Sequence, residues 1–373
     1  MDKTRKIVLI LGNGFDLDRG LKTSYESFWN SDLCPKNYPA PLIRHLNSKL
    51  SNRKDVRWYD LENELYTYAL KGDKTDVVNK QERDLILGKS DFELTNMLRY
   101  NRVDGVLAEL SLKGYLEISK PLISAHIPFR DDFKDPVAVR DHKALVLIKN
   151  RLCEYLKGID NATTKRPKVS SLLLRIMNGC VKDGDDVNIY TFNYTHPQCL
   201  NTIKSIPVHY VHGSCEDKNL IIGTRDDLMI SKDYEFLQKA MDPAFNPPDL
   251  VHNLIEANEV IFFGHSLGEN DSQYFSPLFK KLINIDQPTK KDITFFTYDQ
   301  EAQNGIKRSL QRMTGGNLSV LYSIHQPHII KNNCLQEDRG FLYSFLIKHN
   351  VNSSEAEEII GMLLKNYNGS DKE

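Results

Sequence analysis

The pattern of apolar positions opens with a continuous run, Ile7-Val8-Leu9-Ile10-Leu11, that ends at a turn bounded by Gly12 and Gly14. Five consecutive aliphatic residues are typical of a strand covered on both faces. The glycines allow backbone angles closed to other residues and let backbone N–H groups approach a ligand. The pattern predicts the first strand of a nucleotide-binding α/β domain. An ordinary strand-to-helix turn has the same pattern, and Leu17 stands where the dinucleotide fingerprint has its third glycine.

From residue 36 to about residue 180 the periodicity is helical almost throughout. Amphipathic segments begin near Trp58, run from Phe92 to about Tyr115 and cover Lys143 to Leu156. Because no β-branched alternation occurs there, we predict that residues 36–180 form a helical insertion after the first strand.

From residue 186 onward, short runs rich in Val, Ile and Phe alternate with helical segments, which predicts a mostly parallel sheet with helices on both faces. Residues 1–35 and 181–330 should form this α/β domain. Residues 331–373 should add C-terminal helices that make packing or oligomer contacts. The predicted strands are Asp186–Phe192, Pro207–Val211, Leu220–Ile222, Glu259–Phe263 and Asp292–Tyr298, and the predicted helices cover about 231–240, 249–257, 271–284 and 299–313.

Composition narrows the choice of partners. The 49 Lys and Arg residues nearly balance the 50 Asp and Glu residues, which removes the general argument for nucleic acid or an acidic membrane as the main partner. Six scattered cysteines lack the close spacing of a zinc site or a disulfide framework and fit a reducing compartment. The first apolar run is too short to span a membrane. We expect a cytoplasmic protein that uses no metal.

Polar residues follow three of the predicted strands at the point where each strand ends. Asn193 follows the strand at 186–192, His212 and Gly213 follow the strand at 207–211, and Gly264-His265-Ser266-Leu267-Gly268-Glu269-Asn270-Asp271 follows the strand at 259–263. The carboxyl ends of parallel strands share one edge of the sheet, and ligands bind there. A turn asparagine or a structural histidine would explain each residue alone. Their joint position favours a binding site.

The order of these motifs resembles the AbiH family of bacterial abortive-infection proteins over residues 7 to about 300. More distantly, the order of glycine loop, Thr-x-Asn, His-Gly and Gly-x-Ser resembles the sirtuin fold, whose members bind NAD. The resemblance implies a sirtuin-like, Rossmann-type α/β fold and destruction of NAD during infection. Sirtuin deacetylases carry a four-cysteine zinc module that this sequence lacks. The motifs are Gly12-Asn13-Gly14-Phe15-Asp16-Leu17, Gly20-Leu21-Lys22-Thr23-Ser24-Tyr25, Trp58-x-Asp60-Leu61-Glu62, Thr191-Phe192-Asn193-Tyr194-Thr195, His212-Gly213 and Gly264-His265-Ser266-Leu267-Gly268-x-x-Asp271.

The resemblance assigns roles residue by residue. His212 matches the catalytic histidine, and Asn193 matches the asparagine that positions the nicotinamide ribose and water. The residues that it implies for binding NAD, as substrate or ligand, are Gly12, Asn13, Gly14 and Asp16 in the phosphate and nicotinamide-side loop, Gly264 and Ser266 beside the adenosine half, Asp299 near the adenosine ribose, and Gly213 and Asp271 within the same motifs.

These residue types suit cleavage of a glycosidic bond to nicotinamide, which leaves as a neutral molecule. A neutral histidine can take a proton from water near pH 7. An asparagine orients that water without adding charge. Asp16 or Asp271 could stabilise the cationic sugar, as carboxylates do in glycoside hydrolysis. A phage-derived trigger is an expected partner, because a toxic activity should be kept off at rest.

Two alternatives stay open. Gly264-His265-Ser266-Leu267-Gly268 is a Gly-x-Ser-x-Gly sequence, so an α/β-hydrolase-like esterase could use Ser266 as nucleophile, Asp299 as acid and His325 or His328 as base. Alternatively, the fold could bind a nucleotide without turning it over and serve as a sensor or an interaction module.

Overall fold

A parallel β-sheet forms the centre of the molecule in the computed structural model, which describes residues 4–50, 61–70, 137–159, 168–197, 206–284 and 290–368. Six parallel strands are arranged in the order β3-β2-β1-β4-β5-β6. The predicted Rossmann-type α/β class is confirmed at this level. The strands are β1 (Lys6–Leu11), β2 (Asp186–Thr191), β3 (Val208–Tyr210), β4 (Glu259–Phe263), β5 (Asp292–Thr297) and β6 (His328–Lys331).

The strand order reverses direction at β1, whose two neighbours are β2 and β4. Ile7 of β1 pairs with Val187 of β2 and with Glu259 of β4. The connection from β1 to β2 and the connection from β4 to β5 therefore run in opposite directions and leave a crevice between β1 and β4 at the carboxyl ends of the strands. Such a switch point is the usual ligand-binding position in open parallel sheets.

Twelve α-helices are present in the described parts of the chain. They are α1 (Asn13–Asp18), α2 (Tyr25–Trp29), α3 (Pro41–Leu50), α4 (61–70), α5 (Val137–Gly158), α6 (Val169–Lys182), α7 (Leu250–Glu256), α8 (Ser272–Leu282), α9 (Gln300–Met313), α10 (Leu318–His325), α11 (Arg339–Lys348) and α12 (Ser353–Asn368).

Alternate residues of β1 enter two different apolar cores. Ile7, Leu9 and Leu11 pack with residues of α6, α11 and α12. Val8 and Ile10 pack with residues of α7, α8 and α9 on the other face. This alternation follows from the strand period of two, and it explains why every residue of the run from Ile7 to Leu11 is apolar.

A third apolar core lies among α2, α3, α4 and α5. It includes Tyr25, Phe28 and Trp29 and also takes in Leu220 and Ile222 from the chain after β3. The predicted division into an α/β domain and a helical insertion stays a prediction. Within the predicted insertion, α6 packs on the sheet rather than in this third core.

Two predicted elements differ from the structure, and two observed elements were not predicted. The strand prediction at Leu220–Ile222 is wrong, because this stretch is irregular and its apolar side chains fill the third core instead of joining the sheet. The predicted helix at 231–240 consists of two 3-10 turns, Lys232–Leu237 and Lys239–Met241. Strand β6 and helix α10 were not predicted. The predicted helix at 92–115 and the start near Trp58 lie outside the described residues.

No helix within the described ranges combines the length and the apolar character that crossing a membrane requires.

Candidate functional site

The loops that follow β1 and β4 pack directly against each other at the switch point. Gly264 has a φ of +65°. A Cβ on Gly264 would lie 2.5 Å from backbone atoms of Gly14, and a Cβ on Gly12 would lie 2.6 Å from the Gly264 oxygen. The three glycines are therefore required for the close approach of two backbones.

This packing engages two backbone N–H groups of the glycine loop. The Gly12 N–H donates to the Phe263 oxygen at 2.9 Å, and the Gly14 N–H donates to the Gly264 oxygen at 3.0 Å. A phosphate bound here must therefore use other donors. Asn13 is also engaged, because its side-chain oxygen accepts from the Thr23 hydroxyl at 2.7 Å.

A tight turn after β3 places His212 at the same edge of the sheet. Gly213 has a φ of +75°, and a Cβ there would lie 2.0 Å from the Asn219 oxygen, so only glycine fits. The Ile221 N–H donates to the His212 oxygen at 2.9 Å. The stretch predicted as a strand at 220–222 thus supports the turn that carries His212.

His212 belongs to a buried group of ionisable residues. Its Nε2 lies 2.9 Å from Asp271 Oδ1. The Lys239 ammonium lies 3.1 Å from the same carboxylate oxygen and 2.8 Å from Glu62 Oε1. His265 approaches the other Asp271 oxygen at 3.6 Å. These five residues, His212, Asp271, Lys239, Glu62 and His265, are called the His212 cluster below.

The contact with Asp271 fixes which nitrogen of His212 carries the proton. A carboxylate only accepts hydrogen bonds, so Nε2 donates to Asp271 and the lone pair lies on Nδ1. Nδ1 is buried and has no hydrogen-bond partner. Burial lowers the pKa of His212, and the Lys239 cation lowers it further against the opposing effect of Asp271. His212 is therefore a neutral base with one unused nitrogen near pH 7.

The pKa values of the two carboxylates in this cluster, Asp271 and Glu62, are shifted in opposite directions. Burial alone would raise the pKa of Asp271, but Lys239 and His212 hold it well below its ordinary value. Burial raises the pKa of Glu62 to about 7 despite the attraction of Lys239. Lys239 is fully buried, and its two carboxylate partners keep its pKa above the ordinary value against the effect of burial. The cluster thus has a fixed cation at its centre.

A second group of polar residues surrounds Asp16 of α1. The Thr195 hydroxyl donates to Asp16 Oδ2, and the Arg19 guanidinium lies 4.0 Å from Oδ1, which accepts no hydrogen bond. The Asn193 amide donates to the Gly12 oxygen at 3.0 Å and also stabilises the Asp16 carboxylate. Burial raises the pKa of Asp16 to about 6. These residues, Asp16, Asn193, Thr195 and Arg19, are called the Asp16 cluster below.

The end of β2 joins the two clusters. The Phe192 ring contacts the His212 ring, with ring centroids 5.2 Å apart, and contacts the His265 ring at 4.4 Å. Asn193, the next residue, belongs to the Asp16 cluster. Positions 193 and 212 therefore lie at the same edge of the sheet, and the described hydrogen bonds place them in separate, adjacent clusters.

Two predicted binding residues contribute no side-chain contact to either cluster among the described hydrogen bonds and ion pairs. Ser266 is exposed. Asp299 caps α9, because its Oδ1 accepts from the Ala302 N–H at 2.8 Å. Their predicted roles beside the adenosine half stay predictions.

The triad required by the esterase alternative is not assembled. His325 and His328 lie at the amino ends of β5 and β6, whereas Ser266 follows the carboxyl end of β4. Both His325 nitrogens are already engaged, one by the Lys291 N–H at 3.1 Å and the other by the Leu282 oxygen at 2.9 Å.

Sequence reasoning missed Lys239 and Glu62. Lys239 lies at the end of the helix predicted over 231–240, and a helical pattern does not show that one of its lysines reaches the edge of the sheet. Glu62 stood within the Trp58-x-Asp60-Leu61-Glu62 motif, but without a role, because it is far from the sheet in sequence. In the part of the chain that the structure describes, no group of three or more His, Cys, Asp and Glu residues is arranged to hold a metal ion.

Comparison with known proteins gives one match. A family model described as "Bacteriophage abortive infection AbiH" matches residues 8–290, which is more than half of the chain. Neither a curated protein nor a solved structure matches the chain significantly.

Proposed function

Because the chain belongs to the AbiH family of bacteriophage abortive infection proteins, we propose that it acts in this defence as a hydrolase that cleaves NAD and releases nicotinamide. In this proposal His212 is the base, and Asn193 positions the ribose and the attacking water. The two clusters line the switch point of a parallel sheet, where nucleotides bind in such folds.

The observation that carries the proposal is the unpaired Nδ1 of His212. This nitrogen is buried and has no partner, while Nε2 is held by Asp271 at 2.9 Å. An unsatisfied buried acceptor costs stability, so its retention needs an explanation. A base whose ring is oriented by a carboxylate is the arrangement that proton abstraction requires.

The reaction balances with water as the only co-reactant. The bond between the ribose C1′ and the nicotinamide nitrogen breaks, and its electron pair stays on nicotinamide, which leaves as a neutral molecule. The water oxygen bonds to C1′, and the water proton passes to His212 Nδ1. The products are nicotinamide, ADP-ribose and a proton.

Asp16 is the better of the two carboxylates for stabilising the cationic sugar. Asp271 already has Lys239 and His212 as partners. Asp16 has one oxygen without a hydrogen bond, and its cationic neighbour Arg19 lies 4.0 Å from that oxygen. Burial raises the pKa of Asp16 to about 6, so the carboxylate is ionised near pH 7 with its charge only weakly compensated. A developing positive charge on the ribose would relieve this unfavourable state.

Burial of the site supports a resting state that is switched off. His212 is 5 % exposed and Asn193 is 7 % exposed. NAD can reach Nδ1 only if neighbouring elements move. A phage-derived trigger that moves them would restrict the activity to infected cells.

The test measures nicotinamide release from NAD by the purified protein, with and without extract of phage-infected cells. We expect release by the parent and a loss of about 10²-fold or more in His212→Ala. Ser266→Ala is the comparison variant and should lose much less activity than His212→Ala, because Ser266 is predicted only to contact the adenosine half. Loss of activity in Ser266→Ala but not in His212→Ala would support the esterase alternative. NAD binding without release under any condition would support a nucleotide sensor.

A further inference from the structure

Lys239 is an unusual residue for the interior because its ammonium group is completely buried. A buried ammonium is tolerated when carboxylates compensate its charge, and here two carboxylates do so. Asp271 comes from the turn after β4, at 3.1 Å, and Glu62 comes from α4, at 2.8 Å. One side chain therefore joins the edge of the sheet to the predicted helical insertion.

The position of Lys239 also affects the His212 ring. Its Nζ lies 3.4 Å from His212 Nε2. The 2.9 Å contact of Nε2 with Asp271 is shorter, so Nε2 donates to Asp271, and Lys239 holds the same carboxylate from the other side. A cation at this distance opposes protonation of the imidazole. The orientation of the ring is set by its hydrogen bond to Asp271.

A second contact links the same two elements. The Asn270 amide donates to the side-chain oxygen of Asn63 at 3.4 Å. Asn63 follows Glu62 on α4, and Asn270 precedes Asp271. Two successive residues of α4 thus reach the turn that carries Asp271, Glu62 through Lys239 and Asn63 through Asn270.

We propose that Lys239 is a positioning residue for the base: it holds Asp271 against the His212 ring, keeps that ring neutral, and ties both effects to the seating of α4 through Glu62. The proposal rests on the proposed function only in calling His212 a base. The charge state of the ring can be measured without any substrate.

The groups that face the His212 ring come from several elements. They are Asp271 and Lys239, His265 from the loop after β4, Phe192 at the end of β2, and Tyr274 on α8, with Glu62 behind Lys239. Of these groups, Lys239 is the cation, and its replacement by an apolar residue removes both its charge beside the ring and its hold on Asp271.

The experiment follows the titration of His212 by NMR of the labelled imidazole in the full-length protein. In Lys239→Met the pKa of His212 should rise by about one unit or more, because the opposing cation is gone. The double variant Lys239→Met/Glu62→Gln removes one charge of each sign and should show the same direction of shift if the single variant fails to fold. If the protein cleaves NAD, the acid limb of the pH profile of kcat/KM should move to higher pH by the same amount in Lys239→Met.

Lys149→Met is the matched control. Lys149 lies on α5 and pairs with Asp242, three residues after Lys239, so the variant removes a cation from a neighbouring ion pair that does not touch His212. It should leave the His212 titration unchanged. An unchanged titration in both Lys239 variants, or an equal shift in the control, would overturn the proposal. A shifted titration without NAD cleavage by any variant would overturn the proposed function alone.

The ion pair between Lys239 and Glu62 of α4 can be tested separately by amide hydrogen exchange. Glu62→Gln should speed amide hydrogen exchange in α4, because the helix loses its ion pair with Lys239, whereas Lys149→Met should not. Glu62→Gln should also leave the pKa of His212 unchanged or lower it, whereas Lys239→Met should raise that pKa. Unchanged exchange in α4 would show that the seating of this helix does not depend on Lys239.

Discussion

Two buried aspartates at one edge of the sheet have opposite electrostatic environments. The pKa of Asp271 is held well below its ordinary value by Lys239 and His212 despite burial, whereas burial raises the pKa of Asp16 to about 6. Groups whose environments push their pKa values apart are typical of sites that separate acid and base roles. Asp271 is suited to holding the base, and Asp16 is suited to facing a cation that forms during the reaction.

Asp16→Asn should stabilise the protein at neutral pH while removing activity. The folded-state pKa of Asp16 is about 6, above its ordinary value of 3.8, so its contribution to stability is fully present below pH 3.8 and is lost as the pH rises through 6. The shift corresponds to about 2 to 3 kcal/mol. Thermal unfolding should give equal melting temperatures for parent and variant near pH 4 and a higher one for the variant at pH 7.5. A lower melting temperature of the variant at pH 7.5 would contradict the assigned environment.

Asn193→Ala should lower the rate of nicotinamide release by about 10²-fold or more and leave the protein folded. The amide donates to the Gly12 oxygen, and loss of that hydrogen bond should cost about 1 kcal/mol of unfolding free energy. Circular dichroism and a melting curve check the fold beside the rate. Full activity of a folded variant would remove Asn193 from the mechanism.

Individual residues of the site were predictable to different degrees. Asn193, His212 and Asp271 follow apolar runs, so a position at the carboxyl edge of a parallel sheet followed from strand order along the chain. Lys239 could not be found in this way, because it does not directly follow a predicted strand and lies at the end of the helix predicted over 231–240. Glu62 lies on a helix, and sequence patterns do not show which helix side chain reaches a distant strand end.

At the scale of elements, the glycine loops after β1 and β4 determine how closely the two central strands can bring their ends together. Gly264→Ala should cost at least about 3 kcal/mol, because a Cβ would lie 2.5 Å from backbone atoms of Gly14 and the φ of +65° is unfavourable for alanine. Chemical denaturation measures this cost. The control Gly361→Ala lies on α12 with nothing within 4 Å of the added Cβ and should stabilise the protein by about 0.5 to 1 kcal/mol. Equal stability of the two variants would show that the loops do not need this close packing.

Element prediction succeeded where the apolar pattern was long and failed where it was short. The strand at Glu259–Phe263 was predicted with its observed bounds, because Val260 to Phe263 form an unbroken apolar run, and all five residues are buried in the sheet. Strand β6 was missed, since only Ile329 and Ile330 are apolar between His328 and Lys331. The stretch at 220–222 has the composition of a strand, but its side chains are used by the third core. Composition cannot decide between a sheet and a neighbouring helical core.

At the scale of the whole molecule, the sheet order β3-β2-β1-β4-β5-β6 places the ends of β1 and β4 at the switch point and the ends of β2 and β3 beside it. The alternation of strands and helices predicted a parallel sheet, but not this order. Pairing of parallel strands depends on how the crossover segments pack, and that is a property of the folded chain. The order explains how a loop at residue 12, a turn at 212 and a turn at 264 meet at one edge.

The third core contacts this edge through Glu62 and Asn63 of α4 and through Leu220 and Ile222 after β3. A trigger that displaces α4 would therefore act on the base through the ion pairs of Lys239 with Glu62 and Asp271. Contacts between copies of the chain through the C-terminal helices, a cytoplasmic location and the identity of the trigger stay predictions at this scale.

The most direct test of NAD cleavage at the His212 edge is the NAD content of phage-infected cells that produce either the parent protein or His212→Ala. If His212 cleaves NAD as proposed, NAD falls and the culture is protected with the parent, whereas NAD is kept and protection is lost with a folded His212→Ala. Protection by the parent at an unchanged NAD level, or equal protection by His212→Ala, would refute NAD cleavage at this edge.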